Sequence, residues 1–359
     1  MSFNRFLLPV VALAAQVSPA FAGGIIADST AQVPVEAKKP LIEALPDFTV
    51  HVHGTVRGKF EWEPDIEKAR FEVRNARFSL SGNVTKLVSY KAEIDLSDEG
   101  SIKMLDAYGR IQKSDKGFAF TIGQMRVPFT IDAHRSPHQQ YFANRSFLAK
   151  QVGNVRDVGA CLRWASRTEF PIILEGGIFN GSGLTNQKNF WTSDFNCSAK
   201  AQFKFNDWNL VTSYQKTHPD IVDVRMFGAG VFYHTKKWHA EVEYLRKNYE
   251  DDAFDGVNTF DVFVCHDIAT PRSRVFGKIS PLVRWDFMSD HSDGKANDEG
   301  KLYINDYQRN RITGGVTFSL GTPFQADIRL NYEKYFYRSD ATIGVSDNDK
   351  LVCEFMVRF

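Results

Sequence analysis

From Phe48 to the last residue the chain keeps returning to one pattern, an apolar side chain followed by a polar one, sustained over long segments. In the first segment Phe48, Val50, Val52, Val56, Phe60 and Trp62 share one parity, while Thr49, His51, His53, Thr55, Arg57, Lys59 and Glu61 share the other. Such alternation puts the two sets on opposite faces of a strand. The segment exceeds the five or six residues usual in globular proteins and suits a tilted bilayer crossing of ~9–11 residues plus its rims. The signature recurs through Val88–Leu96, Phe195–Phe205, Phe227–Tyr233, Trp238–Tyr244, Phe324–Tyr332 and Leu351–Phe359, and in all about sixteen segments carry it, an even number in the range of bacterial outer-membrane barrels. A parity slip near Asn75 predicts a bulge, and Leu105, Ala107 and Ile111 are placed together on an apolar face.

The links between segments alternate as well. Asn206-Asp207, Thr235–Lys237 and Ser166–Glu169 are short, whereas Gly181–Asp194, Lys216–Asp223, Asp290–Asp306 and Ser339–Asp349 are longer and more polar. Short turns at one end and long loops at the other are the habit of membrane barrels, with the short end periplasmic. An open sheet edge is not tolerated in hydrocarbon, where each unpaired backbone group costs several kcal/mol. About sixteen strands also leave an aqueous lumen. The expected fold is therefore all-β, a transmembrane antiparallel β-barrel of about sixteen strands. Mean hydropathy is that of a soluble protein, but alternating faces cancel in such an average.

The ends define the expected domains. Met1–Ala22 has one basic residue (Arg5), an apolar run from Phe6 to Ala15 and Ala20-Phe21-Ala22 as a small-x-small cleavage site, the form of a secretory signal peptide. Residues 23–46 read as a periplasmic N-terminal tail and 47–359 as the outer-membrane barrel. Losing Arg5 makes the basic residues, 44 in the whole chain, equal in number to the 43 acidic ones. Net charge thus gives no reason to expect nucleic acid as a partner, and selectivity must come from where charges sit. The four cysteines lack paired or zinc-type spacing. Parity puts Cys161 and Cys265 inside and Cys197 and Cys353 outside, so free thiols are expected.

The stretch Gly123–Gly159 departs from the pattern. Between its flanking strands lie roughly 27 residues without sustained alternation, and a connection of that length in a compact domain is usually functional or disordered. Phe129, Ile131, Tyr141, Phe142, Phe147 and Leu148 need a surface to pack on, which argues against disorder. Arg135, Arg145 and Lys150 outnumber Asp132, with His134 and His138 in addition. The stretch near 129–155 reads as a constriction loop folded onto the inside of the barrel, carrying positive charge into a channel.

Five motifs resemble the phosphate-selective porin O and P family of Gram-negative bacteria. They are Arg74-Asn-Ala-Arg77-Phe-Ser-Leu-Ser-Gly82, Leu105-Asp-Ala-Tyr108, Gly123-Gln-Met-Arg-Val-Pro-Phe129, Arg156-Asp-Val-Gly159 and Gly177-Ile-Phe-Asn-Gly-Ser-Gly183. The resemblance implies a homotrimer of sixteen-stranded barrels with a constriction loop after the GQ–VPF strand and lumenal bases drawing anions through. Arg74 and Arg77 match the family's basic wall strand, and Arg126 holds a position where the family places a base. Strict parity turns Arg126 outward at the rim, and a bulge would turn it inward. Arg135, Arg145 and Lys150 rest on the local argument. Arg57, Arg110, Arg156 and Arg163 complete the pore-lining candidates, because a guanidinium fork matches phosphate oxygens. Pairing with neighbouring carboxylates is the alternative role, since Lys91 stands beside Glu93 and Asp95, and Arg110 near Asp106. The terminal Phe359 resembles the signal read by the barrel-assembly machinery.

Other motifs carry less. His51 and His53 share a face, and such spacing can hold a metal, but no third ligand is near in sequence and no metal or cofactor is expected. Asn180-Gly-Ser-Gly183 lacks the leading glycine and following helix of a nucleophile elbow and is turn chemistry. The expected function is an outer-membrane diffusion porin, with no catalytic residues, passing small hydrophilic solutes and leaning towards anions such as phosphate or similar oxyanions. Outer-membrane lipid is its surrounding partner. A barrel enzyme of lipase or protease type and a surface receptor or adhesin are the alternatives.

Overall fold

The computed structural model describes residues 47–359 apart from 114–116, 154, 167, 185–186, 321–324 and 345. The signal-peptide and tail readings, 1–22 and 23–46, lie outside the described residues. The strands are β1 (His51–Glu63), β2 (Lys68–Asn83), β3 (Val88–Asp98), β4 (Ser101–Gln112), β5 (Phe118–Arg126) and β6 (Arg156–Ala165). They continue with β7 (Ile172–Phe179), β8 (Asn196–Phe205), β9 (Trp208–Thr217), β10 (Val224–His234), β11 (Trp238–Tyr249) and β12 (Val257–His266). The last are β13 (Ile268–Ala269), β14 (Phe276–Met288), β15 (Arg309–Leu320), β16 (Gln325–Tyr337) and β17 (Lys350–Arg358).

All seventeen segments belong to one antiparallel sheet in which each pairs with its sequence neighbours, except that β12 and β13 do not pair with each other. Both β12 and the short β13 pair with β14, so together they make one pass and the barrel has sixteen crossings. The sheet closes on itself where β1 pairs with β17, from Thr55 opposite Arg358 to Trp62 opposite Leu351. The closure runs to the final residue: Gly54 N–H donates to the Phe359 carbonyl at 2.8 Å, and Phe359 N–H returns the bond at 3.1 Å. No edge is left unpaired, as hydrocarbon requires.

The side-chain distribution is inverted relative to a soluble domain. Outward Phe71 is 86% exposed, whereas inward Glu354 is 0% exposed. Val52, Leu162, Val283, Trp285 and Phe355 lie on the exposed face, while Arg57, Glu61, Glu241, Asp286 and Glu333 are buried on the inner one. The alternation of the sequence is thus one face for lipid and one for the lumen. The four cysteines are free.

Two of the bulges bear on the pattern read from the sequence. Arg57 pairs with Asn75 and Gly58 with Val73, leaving Arg74 as the extra residue, in agreement with the slip seen in the sequence. The second was not legible: Glu93 pairs with Asp106 and Ile94 with Met104, so Leu105 is extra. Leu105 is buried, and Ile102 and Met104 take the outward positions expected of it. Gln124 Nε2 secures the bulge by donating to the Met104 and Leu105 carbonyls at 2.7 and 2.9 Å. One link on the long-loop side is also tight. Glu99 and Gly100, with φ of 54° and 90°, join β3 to β4, the positive-φ pair of a type I′ hairpin turn.

Candidate functional site

After β5 the chain leaves the wall and crosses the lumen. It does so in short turns, Asp132–His134 and Pro137–Gln139, and a π-helical turn, Leu148–Val152. Its apolar residues find the surface they need on a wall that is locally apolar inside. Phe129, Phe147, Leu148 and Val152 pack with Val224, Met226, Leu245, Tyr249, Val257 and Met288. Phe142 packs with Phe263, Cys265 and Leu282. Removing side chains of this size from water contributes on the order of 1.5–3 kcal/mol each.

Polar contacts then fix the loop's position. Glu243 accepts from the Ile131 and Asp132 amides at 2.5 and 3.1 Å, Asn331 Oδ1 from Ala143 N–H at 2.8 Å and Asp286 from Phe147 N–H at 3.1 Å. Arg311 donates to the Arg145 carbonyl at 2.7 Å and Arg284 to the Asn144 carbonyl at 3.1 Å. Arg57 donates to Gln140 Oε1 at 2.7 Å and to the Ala143 carbonyl at 2.6 Å. Of these wall partners, Arg57 lies on β1 and the rest on β11 and β14–β16. Fewer of the loop's polar anchors fall on β2–β8, where Ser198 of β8 donates to the Pro128 carbonyl at 2.7 Å.

Two of the loop's own bases, Arg135 and Arg145, are held within its fabric. Arg135 pairs with Glu241 and, at 3.3 Å, with Asp132. Arg145 donates to the Asp132 and Arg135 carbonyls at 2.8 and 2.7 Å. Lys150 is half exposed, 3.8 Å from Glu99. The expectation that the loop carries free positive charge into the channel is therefore corrected: Arg135 and Arg145 are spent holding the loop. Arg126 faces inward, and its Nη1 reaches the carbonyls of Ala133, His134 and Arg135 at 3.1, 2.5 and 2.8 Å. Arg57 is also a clamp, 2% exposed and bound to Glu354 at 2.5 Å. Arg74, on its bulge, pairs with Asp98 and Glu99 at 3.0 and 3.3 Å.

The remaining candidates stand together on the β2–β8 wall. Arg77 meets Asp95 at 2.8 Å and Glu93 at 3.6 Å, and Lys91 meets Glu93 and Asp106 at 2.7 and 2.6 Å. Arg156 meets Asp106 at 3.0 Å and Glu93 at 3.6 Å. Further along, Arg163 and Lys200 approach Glu175 at 3.8 and 3.3 Å, and Arg110 donates to Thr121 Oγ1 at 3.0 Å while lying over the Tyr108 ring. Within the Arg77, Lys91 and Arg156 cluster the bases are the more exposed partners. Lys91, Arg77 and Arg156 keep 25, 13 and 12% of their side chains exposed, but Glu93, Asp106 and Asp95 keep 10, 5 and 0%. At other pairs on the wall the order reverses, Lys200 keeping 11% against 22% for Glu175 and Arg74 16% against 24% for Asp98.

Two spaces border the loop tip. One, of about 150 Å³, lies between Ser136–His138 and the wall residues His53, Arg77, Lys91, Glu93 and Arg358. The other, of about 530 Å³, opens on the turn side beneath the loop and is lined by Tyr141, His234, His239, Asp267, Lys278 and Arg329 among others. Sequence reasoning misses Arg284 and Arg311, which hold the loop; parity with outward Val283, Trp285 and Ile312 is the signal that finds them. His51 and His53 stack with ring centroids 6.4 Å apart. The Asn180–Gly183 motif wraps Asp157, whose carboxylate accepts the Gly181 and Gly183 amides at 2.6 and 3.1 Å, which is turn chemistry.

A family model described as phosphate-selective porin O and P matches residues 60–262, more than half of the chain. No curated protein matches it. Among solved structures the chain is similar to the anion-selective porin from Comamonas acidovorans, at 10% identity and a TM-score of 0.60, covering 87% of this chain and 99% of that one. It is also similar to the outer membrane channel DcaP of Acinetobacter baumannii, at 12% identity and a TM-score of 0.56, over 88% and 98%. The trimer form of OmpT, an outer membrane protein of Vibrio cholerae, aligns at 11% identity with a TM-score of 0.55, over 87% and 99%.

Proposed function

Because the chain belongs to the phosphate-selective porin O and P family and is an outer-membrane channel, we propose that it passes small hydrophilic solutes along the β2–β8 wall with a lean towards anions. The observation that carries this reading is the Arg77, Lys91 and Arg156 cluster, in which each base is more exposed than the carboxylates it pairs with. A low-dielectric wall focuses such a field. Arg77, Lys91, Arg110, Arg156 and Arg163 are the residues that meet solute, while Arg57, Arg74, Arg126, Arg135 and Arg145 serve the architecture. The pore needs no covalent chemistry, and family and fold point to a channel rather than an enzyme.

Bases already shared with carboxylates bind a passing oxyanion weakly, and weak binding suits conduction, which requires release as much as admission. Phosphate is then one permeant among several. The Comamonas relative, an anion-selective porin, is consistent with that lean, and the trimeric Vibrio relative supports a homotrimer embedded in outer-membrane lipid. Export by the 1–22 signal peptide and recognition of Phe359 by the assembly machinery complete the reading. Reversal potentials in a KCl gradient across a planar bilayer, with and without phosphate, test it. Steady ohmic steps with chloride favoured over potassium are expected. A pore without cation exclusion removes the anion lean, and a barrel that conducts nothing returns the receptor and adhesin alternative.

A further inference from the structure

At the mouth of the turn-side space, His234 at the end of β10 stands directly opposite His239 at the start of β11. Their Nδ1 atoms are 3.1 Å apart and the ring planes are inclined by 62°. On its far side, His239 Nε2 lies 3.1 Å from the Glu241 carboxylate. A carboxylate there accepts the Nε2 proton, which fixes the tautomer and leaves the Nδ1 lone pair aimed at His234. Outer carboxylates orient metal-binding imidazoles in this way.

The Nδ1–Nδ1 separation suits a shared metal ion once each ring turns its lone pair off the line that joins them. At metal–nitrogen distances of about 2.0–2.1 Å, two nitrogens this far apart subtend about 95–100° at the ion, between octahedral and tetrahedral angles. Stacking on Tyr141, Phe232 and Phe263 sets the plane of the His239 ring. His234 is exposed, so the ion has a way in, and the space of about 530 Å³ has room for its remaining water ligands. Cys265, paired with His239 across β11 and β12, lies in the same lining without converging on the two imidazoles, so water completes the ligand set. Two imidazoles suit borderline ions and not calcium or magnesium.

We propose that His234 and His239 form a binding site for a divalent transition-metal ion of the zinc and copper type at the turn-side mouth of the lumen. Glu241 also receives Arg135 of the loop, so an ion here is one carboxylate away from a loop anchor. A rival set, Asp194, His218 and Asp223, has three convergent ligand atoms. It already holds the Lys216 ammonium, 2.7 Å from Asp223 and 3.2 Å from Asp194.

The test is Cu2+ and Zn2+ titration of the untagged whole protein in detergent at neutral pH, followed by calorimetry and, for copper, electron paramagnetic resonance. One ion per chain with two coupled nitrogens is expected. His234→Ala should weaken binding at least as much as the ~10–100-fold that loss of an outer partner costs. That residue is exposed at the mouth, so the barrel folds without it, and heat-modifiable gel mobility checks that it has. Asp194→Asn should leave binding unchanged. Absence of saturable binding, binding untouched by His234→Ala, or binding lost in Asp194→Asn overturns the assignment.

Discussion

Glu93 is the keystone acid of the β2–β8 wall, and its neutralisation gives the most discriminating test of the conduction path. It lies 2.7 Å from Lys91 and 3.6 Å from both Arg77 and Arg156. In Glu93→Gln each base keeps a second acid: Asp106 stays 2.6 Å from Lys91 and 3.0 Å from Arg156, and Asp95 stays 2.8 Å from Arg77. The barrel should therefore fold, with one negative charge fewer beside the lumen. For an ion passing at about 10 Å in water that charge is worth about 0.4 kcal/mol. Anion occupancy rises and cation occupancy falls by about twofold each, so the permeability ratio shifts roughly fourfold towards chloride. Reversal potentials in a KCl gradient near 0.01 M, where the screening length is ~30 Å, read most of that shift, and near 0.1 M, where it is ~10 Å, the shift falls below about twofold. At about 1 M, where the screening length falls to ~3 Å, it should nearly vanish. A folded variant with an unchanged ratio at low salt, or a shift towards potassium, would refute the placement of the path along this wall.

Three further outcomes follow from the same structure. Arg57→Ala strips two bonds from the loop and leaves Glu354 to Arg329 alone; loss of a buried ion-pair partner costs ~3–5 kcal/mol, so denaturation in detergent should come earlier and current noise should rise, and wild-type values for both would exclude a clamp. Cys161 is the half-exposed lumenal thiol, whereas Cys265 is buried, so an anionic thiosulfonate should modify it faster than a cationic one, each rate normalised to a free thiol; equal normalised rates would contradict a positive wall. Gly54→Val should impair barrel closure, because even a Cβ there would sit 2.1 Å from the Phe359 ring, and a wild-type yield of the heat-modifiable form would show that the seam tolerates the displacement.

The barrel was legible because its two surroundings judge each residue separately. Val283 and Trp285 against Arg284 and Asp286 need only parity to be sorted. The loop was legible for a related reason: Phe129, Phe142, Phe147 and Leu148 require a packing surface, and the inside of the barrel offers one. Its contacts were not. Arg57 and Glu354 are 297 positions apart, and no local pattern links Arg135 to Glu241 or Arg311 to the Arg145 carbonyl. Counting positive residues in the loop gives its composition and not their direction, because Arg135 is taken by Glu241 of β11, Arg145 by two carbonyls of the loop itself, and Lys150 lies near Glu99. Leu105 was misplaced since a bulge leaves only a one-residue slip, here masked by apolar Ile102 and Met104 on the neighbouring positions.

Depth, more than number, decides what such a wall can select. A site that traps phosphate needs uncommitted guanidinium forks, because a bidentate bond draws on both edges of the group. Arg77 and Arg156 each commit Nε, to Asp95 and Asp106 at 2.8 and 3.0 Å, while Arg77 Nη1 and Arg156 Nη2 stand 3.6 Å from Glu93 without a hydrogen bond. At a distance a solute feels the outermost charges of this cluster, which are basic, and anions are gathered. At contact it must displace a carboxylate that is covalently tethered in place, and the binding well is shallow. Attraction without capture is the condition for rapid passage, and it predicts a channel that ranks anions by charge more than by shape. Restoring capture would require removing both Glu93 and Asp106, so that Lys91 and Arg156 present free donors to the same oxyanion.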